Sequence, residues 1–321
     1  PLYREIILNI SLEENSMEDT TAVLLLAYGG PENPAEIEPF LQQLLRMDKI
    51  PVPLFQRVVE KYQTIGGGSP LPRICRSIRK KLAEVFANSN SKLPVYLAFR
   101  YSKPDIDTVV KQMEAEGIKQ ILAVSLSPHA SKISTTAYFS TLDTVAAELS
   151  LKVIPVRNWY RNPRYIDCLA RRISLAAEQY SLDISASTTA LVFSAHSIPE
   201  SYVKDGDTYV EQIKENMALL MEKFPGSRHF LGYQSKGKSP GSWLKPEIDQ
   251  LLPELIDDGL KNIILIPLSF AMDHLETLYD LDQEIIPAIT DRQQVDLIRI
   301  TMCNDDDDFI SMLFNDISSY T

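Results

Sequence analysis

Ala22-Val-Leu-Leu-Leu-Ala-Tyr28 is apolar from end to end. A strand with one wet face alternates polar and apolar residues, whereas a strand covered on both faces has no reason to. Similar short runs recur along the chain at Val95-Tyr-Leu-Ala-Phe99, Ile121-Leu-Ala-Val-Ser-Leu126 and Val153-Ile-Pro-Val156. They continue at Ala190-Leu-Val-Phe-Ser-Ala195, Phe230-Leu-Gly-Tyr233, Ile263-Ile-Leu-Ile-Pro-Leu268 and Val295-Asp-Leu-Ile-Arg-Ile300. Amphipathic stretches at 34–47, 105–116, 131–149, 164–180, 209–224 and 246–258 separate them. This βαβα order predicts parallel sheets joined by right-handed crossovers. The strands divide evenly near 160–185. The expected fold is therefore α/β, with two Rossmann-like lobes, each a four-stranded parallel sheet flanked by helices, and an active-site cleft between them. Residues 1–20 are read as an N-terminal extension, 21–165 as the first lobe and 166–321 as the second. Residues 1–16, ahead of Met17, are expected to be upstream sequence. No internal repeat is evident.

A chain of 321 residues can bury a sizeable core. Acidic residues outnumber basic ones 43 to 32, for a net charge of -11. That balance argues against a nucleic-acid partner, which would need clustered Lys and Arg. Cys75, Cys168 and Cys303 are odd in number and far apart, which excludes a disulfide scaffold and points to a cytoplasmic protein. No apolar run reaches the roughly 18 residues of a transmembrane segment.

Only four histidines occur. His129, His196 and His274 follow the carboxyl ends of expected strands, where ligands bind in such folds, whereas His229 lies at the opposite end. His196, in Ser194-Ala-His196-Ser-Ile-Pro199, is well placed as a base or metal ligand. In Asp273-His-Leu-Glu-Thr-Leu-Tyr-Asp-Leu-Asp-Gln-Glu284, the carboxylates Glu276, Asp280 and Glu284 recur at every fourth residue. Each step turns an α-helix by about 400° and rises about 6 Å, so they form one slowly drifting row. Carboxylate and imidazole suit a divalent cation, although acidic residues also suit a helix's first turn. Gly66-Gly-Gly-Ser69-Pro70 is a flexible loop able to approach a planar ligand. Gly232-Tyr-Gln-Ser-Lys-Gly237-Lys238-Ser239 matches a phosphate-loop expression, but Pro240, Gly241 and Pro246 follow where a helix would have to open. ATP binding is rejected on that ground. Asp305–Asp308 is expected to cap the final helix.

Together these segments resemble the ferrochelatases from about residue 22 to the end. The pieces that carry the resemblance are Leu26-Ala-Tyr-Gly-Gly-Pro31, Ile65-Gly-Gly-Gly-Ser-Pro-Leu71, Phe99-Arg-Tyr101, Ser194-Ala-His-Ser-Ile-Pro199, Tyr233-Gln-Ser-Lys236 with Trp243-Leu244, and Asp273-His-Leu-Glu-Thr-Leu-Tyr279. Each is weak alone, and their order and spacing are specific. The resemblance implies ATP-independent insertion of Fe2+ into a porphyrin. It assigns the catalytic pair to His196 and Glu276, and the acidic path from the surface to Asp280 and Glu284, on a helix that is locally widened in the family. Tyr28 after the first strand, and Ser127-Pro-His129, resemble the members that act on coproporphyrin III, with His129 a further candidate for handling metal. Tyr28, Tyr62 and Trp243 are expected to pack on the macrocycle, Ser69 to line its site and Arg100 to pair with a propionate.

The porphyrin and Fe2+ are thus the expected partners, on a monomer with no required cofactor. Some relatives hold a [2Fe–2S] cluster on four cysteines, and this chain has too few. Two other functions stay open at this point. One is a chelatase for another tetrapyrrole or metal, such as cobalt into sirohydrochlorin, and the other is a non-catalytic haem or metal carrier.

Overall fold

The structure is a computed structural model that describes residues 20–237, 240–291 and 294–321. The expected N-terminal extension up to residue 19, and Lys238 and Ser239 of the phosphate-loop match, lie outside the described residues.

The first lobe runs β1 (Thr21–Ala27), α1 (Ile37–Leu45), α2 (Val52–Thr64), α3 (Leu71–Ala87), β2 (Val95–Phe99), α4 (Ile106–Ala115), β3 (Gln120–Ser125), α5 (Thr135–Glu148) and β4 (Lys152–Val156). A linking helix α6 (Pro163–Gln179) leads to β5 (Thr189–His196), α7 (Glu200–Lys204), α8 (Tyr209–Met221), β6 (Arg228–Gln234), α9 (Ile248–Asp257) and β7 (Asn262–Pro267). A π-helix (Glu276–Ile285), α10 (Ile286–Thr290), β8 (Asp296–Arg299) and α11 (Asp307–Ser318) complete the chain. The division expected at 165/166 falls within α6.

Both sheets are four-stranded and parallel throughout, ordered β2-β1-β3-β4 and β6-β5-β7-β8. The two orders are the same pattern repeated. The sequence shows no internal repeat because the repetition lies in topology and not in residues. In each sheet the strand order reverses beside the first strand, between β1 and β3 and again between β5 and β7. A crevice opens at such a switch point, beyond the strands' carboxyl ends.

The apolar runs behave as their lack of alternation predicts. Val23, Leu25 and Ala27 face one core cluster, and Ala22, Leu24 and Leu26 face another across the sheet. The first cluster is shared between the lobes. It continues through Leu191 and Phe193 on β5 to Phe309 and Leu313 on α11. Removing one of these side chains, as in Leu25→Ala, typically costs about 2–5 kcal/mol.

α2 and α3 are absent from the expected helices. Each opens on a proline in its first two positions, a residue that breaks a helix interior but suits its first turn. The expected Asp305–Asp308 cap is corrected in part. Asp306 occupies the N-cap position, but its side chain makes no capping hydrogen bond. These carboxylates instead meet basic side chains of α3 and α6, with Asp305 on Lys81, Asp306 on Arg172 and Asp308 on Arg171. Asp305 also accepts a hydrogen bond from Ser77 at 2.5 Å. Among the described residues no helix is long and apolar enough to cross a membrane.

Candidate active site

The two switch points share one cavity of about 410 Å³. Tyr28 and Ser127 follow β1 and β3 on one wall, and His196 at the end of β5 and His274 beyond β7 lie on the other. Most of the lining is apolar or aromatic, and among the described residues none of it is Lys or Arg. Such a space suits a flat, largely apolar ligand that is recognised by a few polar groups.

His196 ends β5, and its main chain is fixed from both sides. Its N–H donates to Ser269 Oγ at 3.1 Å, and its carbonyl accepts from the Tyr209 hydroxyl at 3.1 Å. Its Nδ1 lies 3.1 Å from Glu276 Oε2, an ion-pair contact without the alignment of a hydrogen bond. Burial pushes the imidazole toward its neutral form, but the facing Glu276 carboxylate outweighs this and raises its pKa. Burial would likewise raise Glu276, yet His196 beside it brings the carboxyl down to about 2. His274 approaches the same carboxylate oxygen at 4.0 Å, its ring set edge-on to Phe270. Burial is its largest influence, and its pKa is lowered.

The turn that carries His274 and Glu276 is held from beneath. Asp273 accepts hydrogen bonds from the Met302 N–H, the Asn304 amide and the Thr277 hydroxyl. Arg299 pairs with Asp273 at 2.7 Å and with Asp282 at 2.7 Å, so one guanidinium on β8 ties the approach of the π-helix to its middle.

On the first wall, the Tyr28 and Tyr101 rings meet at a 60° tilt with their centres 4.8 Å apart, and Tyr62 is buried. Burial first, then the negative charge of Glu276, keeps both phenols protonated. The loop that bears Ser69 is fixed to the loop after β1, because the Ser69 N–H donates to the Pro31 carbonyl at 2.6 Å. A Cβ at Gly68 would stand 2.2 Å from the Glu32 carbonyl oxygen, so only glycine permits that approach. Gly29 has φ +95° and is crowded by Ser102. These contacts set Ser69 on the cavity lining.

Tyr28, Tyr62, Ser69, His129, His196 and Glu276 all line the cavity, whereas Arg100 and Trp243 do not. Both occupy the strand-end edge, but their local partners turn them aside. Arg100 stacks on Tyr101 at 5.2 Å, and Trp243 bridges to Pro199 and packs where a Cβ on Gly237 would intrude. The expected metal set is also divided. His129 Nε2 lies 3.2 Å from Asn216 Oδ1, and burial pushes its pKa down to about 3. Asp280 is taken by Lys61 at 2.8 Å and Ser235 at 2.6 Å, and Glu284 lies 3.5 Å from Lys61. Among the described residues no three His, Cys, Asp or Glu side chains converge to hold one ion.

Sequence reasoning missed Lys61, Arg299 and Asn304, and left His274 without a role. No spacing rule connects Lys61 with Asp280, which stands 219 positions away. The position of His274 just past β7 was the available signal for that residue.

The sequence profile of the ferrochelatases matches residues 20–320. The chain belongs to the ferrochelatase family. A ferrochelatase of Geobacter metallireducens is 34% identical, covering 84% of this chain and 88% of its own. A coproporphyrin III ferrochelatase of Oceanobacillus iheyensis is 32% identical, covering 91% and 94%. Among solved structures, SirB of Bacillus subtilis with Fe3+ superposes with a TM-score of 0.58 at 11% identity, covering 94% and 95% of the two chains. That likeness shows a shared chelatase fold. This ferrochelatase inserts iron into porphyrin, and the cavity described above lies at the switch points of both lobes.

Proposed function

We propose that this ferrochelatase loads Fe2+ into coproporphyrin III without ATP, and that His196 and Glu276 carry the exchange. The observation that supports this most is the 3.1 Å contact between His196 Nδ1 and Glu276 Oε2 on the wall of a cavity otherwise poor in charge. Metalation replaces two pyrrole N–H protons by one cation. In its unprotonated form His196 accepts the pyrrole protons one at a time and passes each on to solvent, and Glu276 strengthens it as a base by stabilising the imidazolium formed at each step. Glu276 stays ionised and offers an oxygen ligand to the arriving cation. Fe2+ is cargo that passes through, so a site with few simultaneous ligands suits release into the macrocycle better than a closed cage would. The enzyme needs no resident cofactor in this account.

Coproporphyrin carries more propionates than protoporphyrin. Hydroxyls such as Tyr28, Ser69 and Ser127 on the lining can meet carboxylates where no cation does. We further place the enzyme as a monomer in the cytoplasm, which accords with three free, buried cysteines.

The experiment is an anaerobic insertion assay with coproporphyrin III and protoporphyrin IX side by side. The expected result is a higher kcat/KM for coproporphyrin III, lost in His196→Ala by about 10²-fold or more. Wild-type turnover in that variant would remove His196 from the mechanism. A preference for protoporphyrin IX would remove the substrate assignment alone.

A further inference from the structure

Cys168 on α6 and Cys303 just beyond β8 stand 135 positions apart in sequence, yet their sulfurs lie 3.0 Å apart in the core. That is about 1 Å longer than a disulfide bond. Neither thiol lines the porphyrin cavity. The third cysteine, Cys75, is placed elsewhere, 3.9 Å from the Met272 sulfur.

The surroundings of the pair differ from those of an inert core cysteine. Arg172, one helical turn along α6 from Cys168, donates to the Cys303 carbonyl at 3.1 Å and pairs with Asp306. Its Nε is buried with no hydrogen-bond partner, and so is the Tyr165 hydroxyl, whose side chain belongs to the same core cluster as both cysteines. A buried guanidinium beside a thiol is a place where a thiolate is favoured. The two thiols are also unequal. A hydrogen bond between them and the charge of Arg172 lower the pKa of Cys168 against its burial, while Cys303 is raised. Arg172 stands one turn from Cys168 on the same helix, which makes Cys168 the sulfur placed to attack and Cys303, 3.0 Å away, the one placed to follow.

We infer that Cys168 and Cys303 are a modification site, a dithiol that hydrogen peroxide converts to an intramolecular disulfide and a dithiol reductant restores. The Cys168 thiolate attacks one peroxide oxygen, the O–O bond breaks, and Cys168 becomes a sulfenic acid while the leaving hydroxide takes a proton to give water. Cys303 then attacks the Cys168 sulfur, expelling the sulfenic oxygen, which leaves as a second water with the Cys303 proton. Sulfur loses two electrons in all, and the peroxide gains them. The bond would join the linking helix to the loop whose Met302 and Asn304 hold Asp273 beneath the π-helix. It would therefore tether the support of the metal-handling turn to the seam between the lobes.

The test uses the full-length reduced protein. It is treated with hydrogen peroxide, denatured, alkylated and mapped by mass spectrometry. Two of the three thiols should become protected, in one cross-linked peptide pair containing Cys168 and Cys303, and a dithiol reductant should restore both. Cys75→Ser should leave this pattern intact, whereas Cys303→Ser should leave Cys168 without a partner and stop the cross-link. Because the decisive measurement is made on the unaltered chain, it does not depend on a variant folding. Three thiols still open to alkylation after peroxide would overturn the inference, as would a cross-link to Cys75 or sulfinic acid on Cys168 with no bridge.

Discussion

Lys61 places an ammonium among the carboxylates that read as a cation's path. It lies 2.8 Å from Asp280 and 3.5 Å from Glu284, and near 4.6 Å from the centre of the Tyr279 ring. Burial is the largest influence and opposes its charge, but the Asp280 and Glu284 carboxylates together outweigh it and the ammonium's pKa rises, so it remains a cation. An incoming Fe2+ must displace it or pass beside it. Lys61→Met should therefore lower the KM for Fe2+ several-fold with little change in kcat, and the gain should shrink as salt screens the row. An unchanged or raised KM for Fe2+ would show that the row does not conduct. Glu284, 61% exposed at the outer end, should act in the opposite sense, with Glu284→Gln raising that KM and sparing kcat. The acidic members of this row were legible from their spacing alone. The cation that closes it was not, because its helix comes from the other lobe. Arg100 and Trp243 show the complementary limit. A strand-end position predicts which edge a residue occupies, but local packing decides where its side chain points.

The π-helix is the element on which the site's geometry depends most. A wider helix changes the angle between residues four apart, so the drift calculated for an α-helix does not apply to Glu276, Asp280 and Glu284. Arg299 holds this helix from outside by gripping Asp273 and Asp282 together. Both Arg299 and Asp273 are less than a tenth exposed, so Arg299→Met leaves a buried carboxylate without its partner. The expected loss is about 3–5 kcal/mol in urea unfolding. Asp273 also predicts a pH dependence. Burial would raise its pKa, but Arg299, Asn304 and the Met302 N–H hold it below the usual carboxylate range. Its stabilisation is therefore complete above about pH 4 and is lost as the pH falls through the folded-state value. The stability gap between wild type and Asp273→Asn should narrow as the solution turns strongly acid, and a constant gap would dismiss the linkage. The buried parallel strands were readable because they are apolar on both faces. α2 and α3 were not, because their opening prolines look like breaks.

Across the whole molecule, two lobes of identical strand order stand with their switch points turned to one cavity. The count and spacing of apolar runs anticipated two four-stranded sheets, while strand order, which no local pattern encodes, emerged only in three dimensions. The lobes also share what each would otherwise need separately. One core cluster contains side chains of β1, β5 and α11, and α11 packs against both α3 of the first lobe and α6 of the link. Trp159, just ahead of α6, sits in that cluster with its indole N–H donating to the Ser125 carbonyl at 2.8 Å, whereas Trp243 lies partly exposed in the second lobe. Separating the lobes would open an apolar surface with no other cover, which argues for one cooperative transition in place of two. Trp243→Phe leaves Trp159 as the sole tryptophan and so isolates a probe at the seam. Urea unfolding of this variant should give the same midpoint by Trp159 fluorescence as by far-ultraviolet circular dichroism, which reports both lobes. A fluorescence transition that clearly precedes the loss of helix would mean that the seam parts first, with the lobes folding as independent domains.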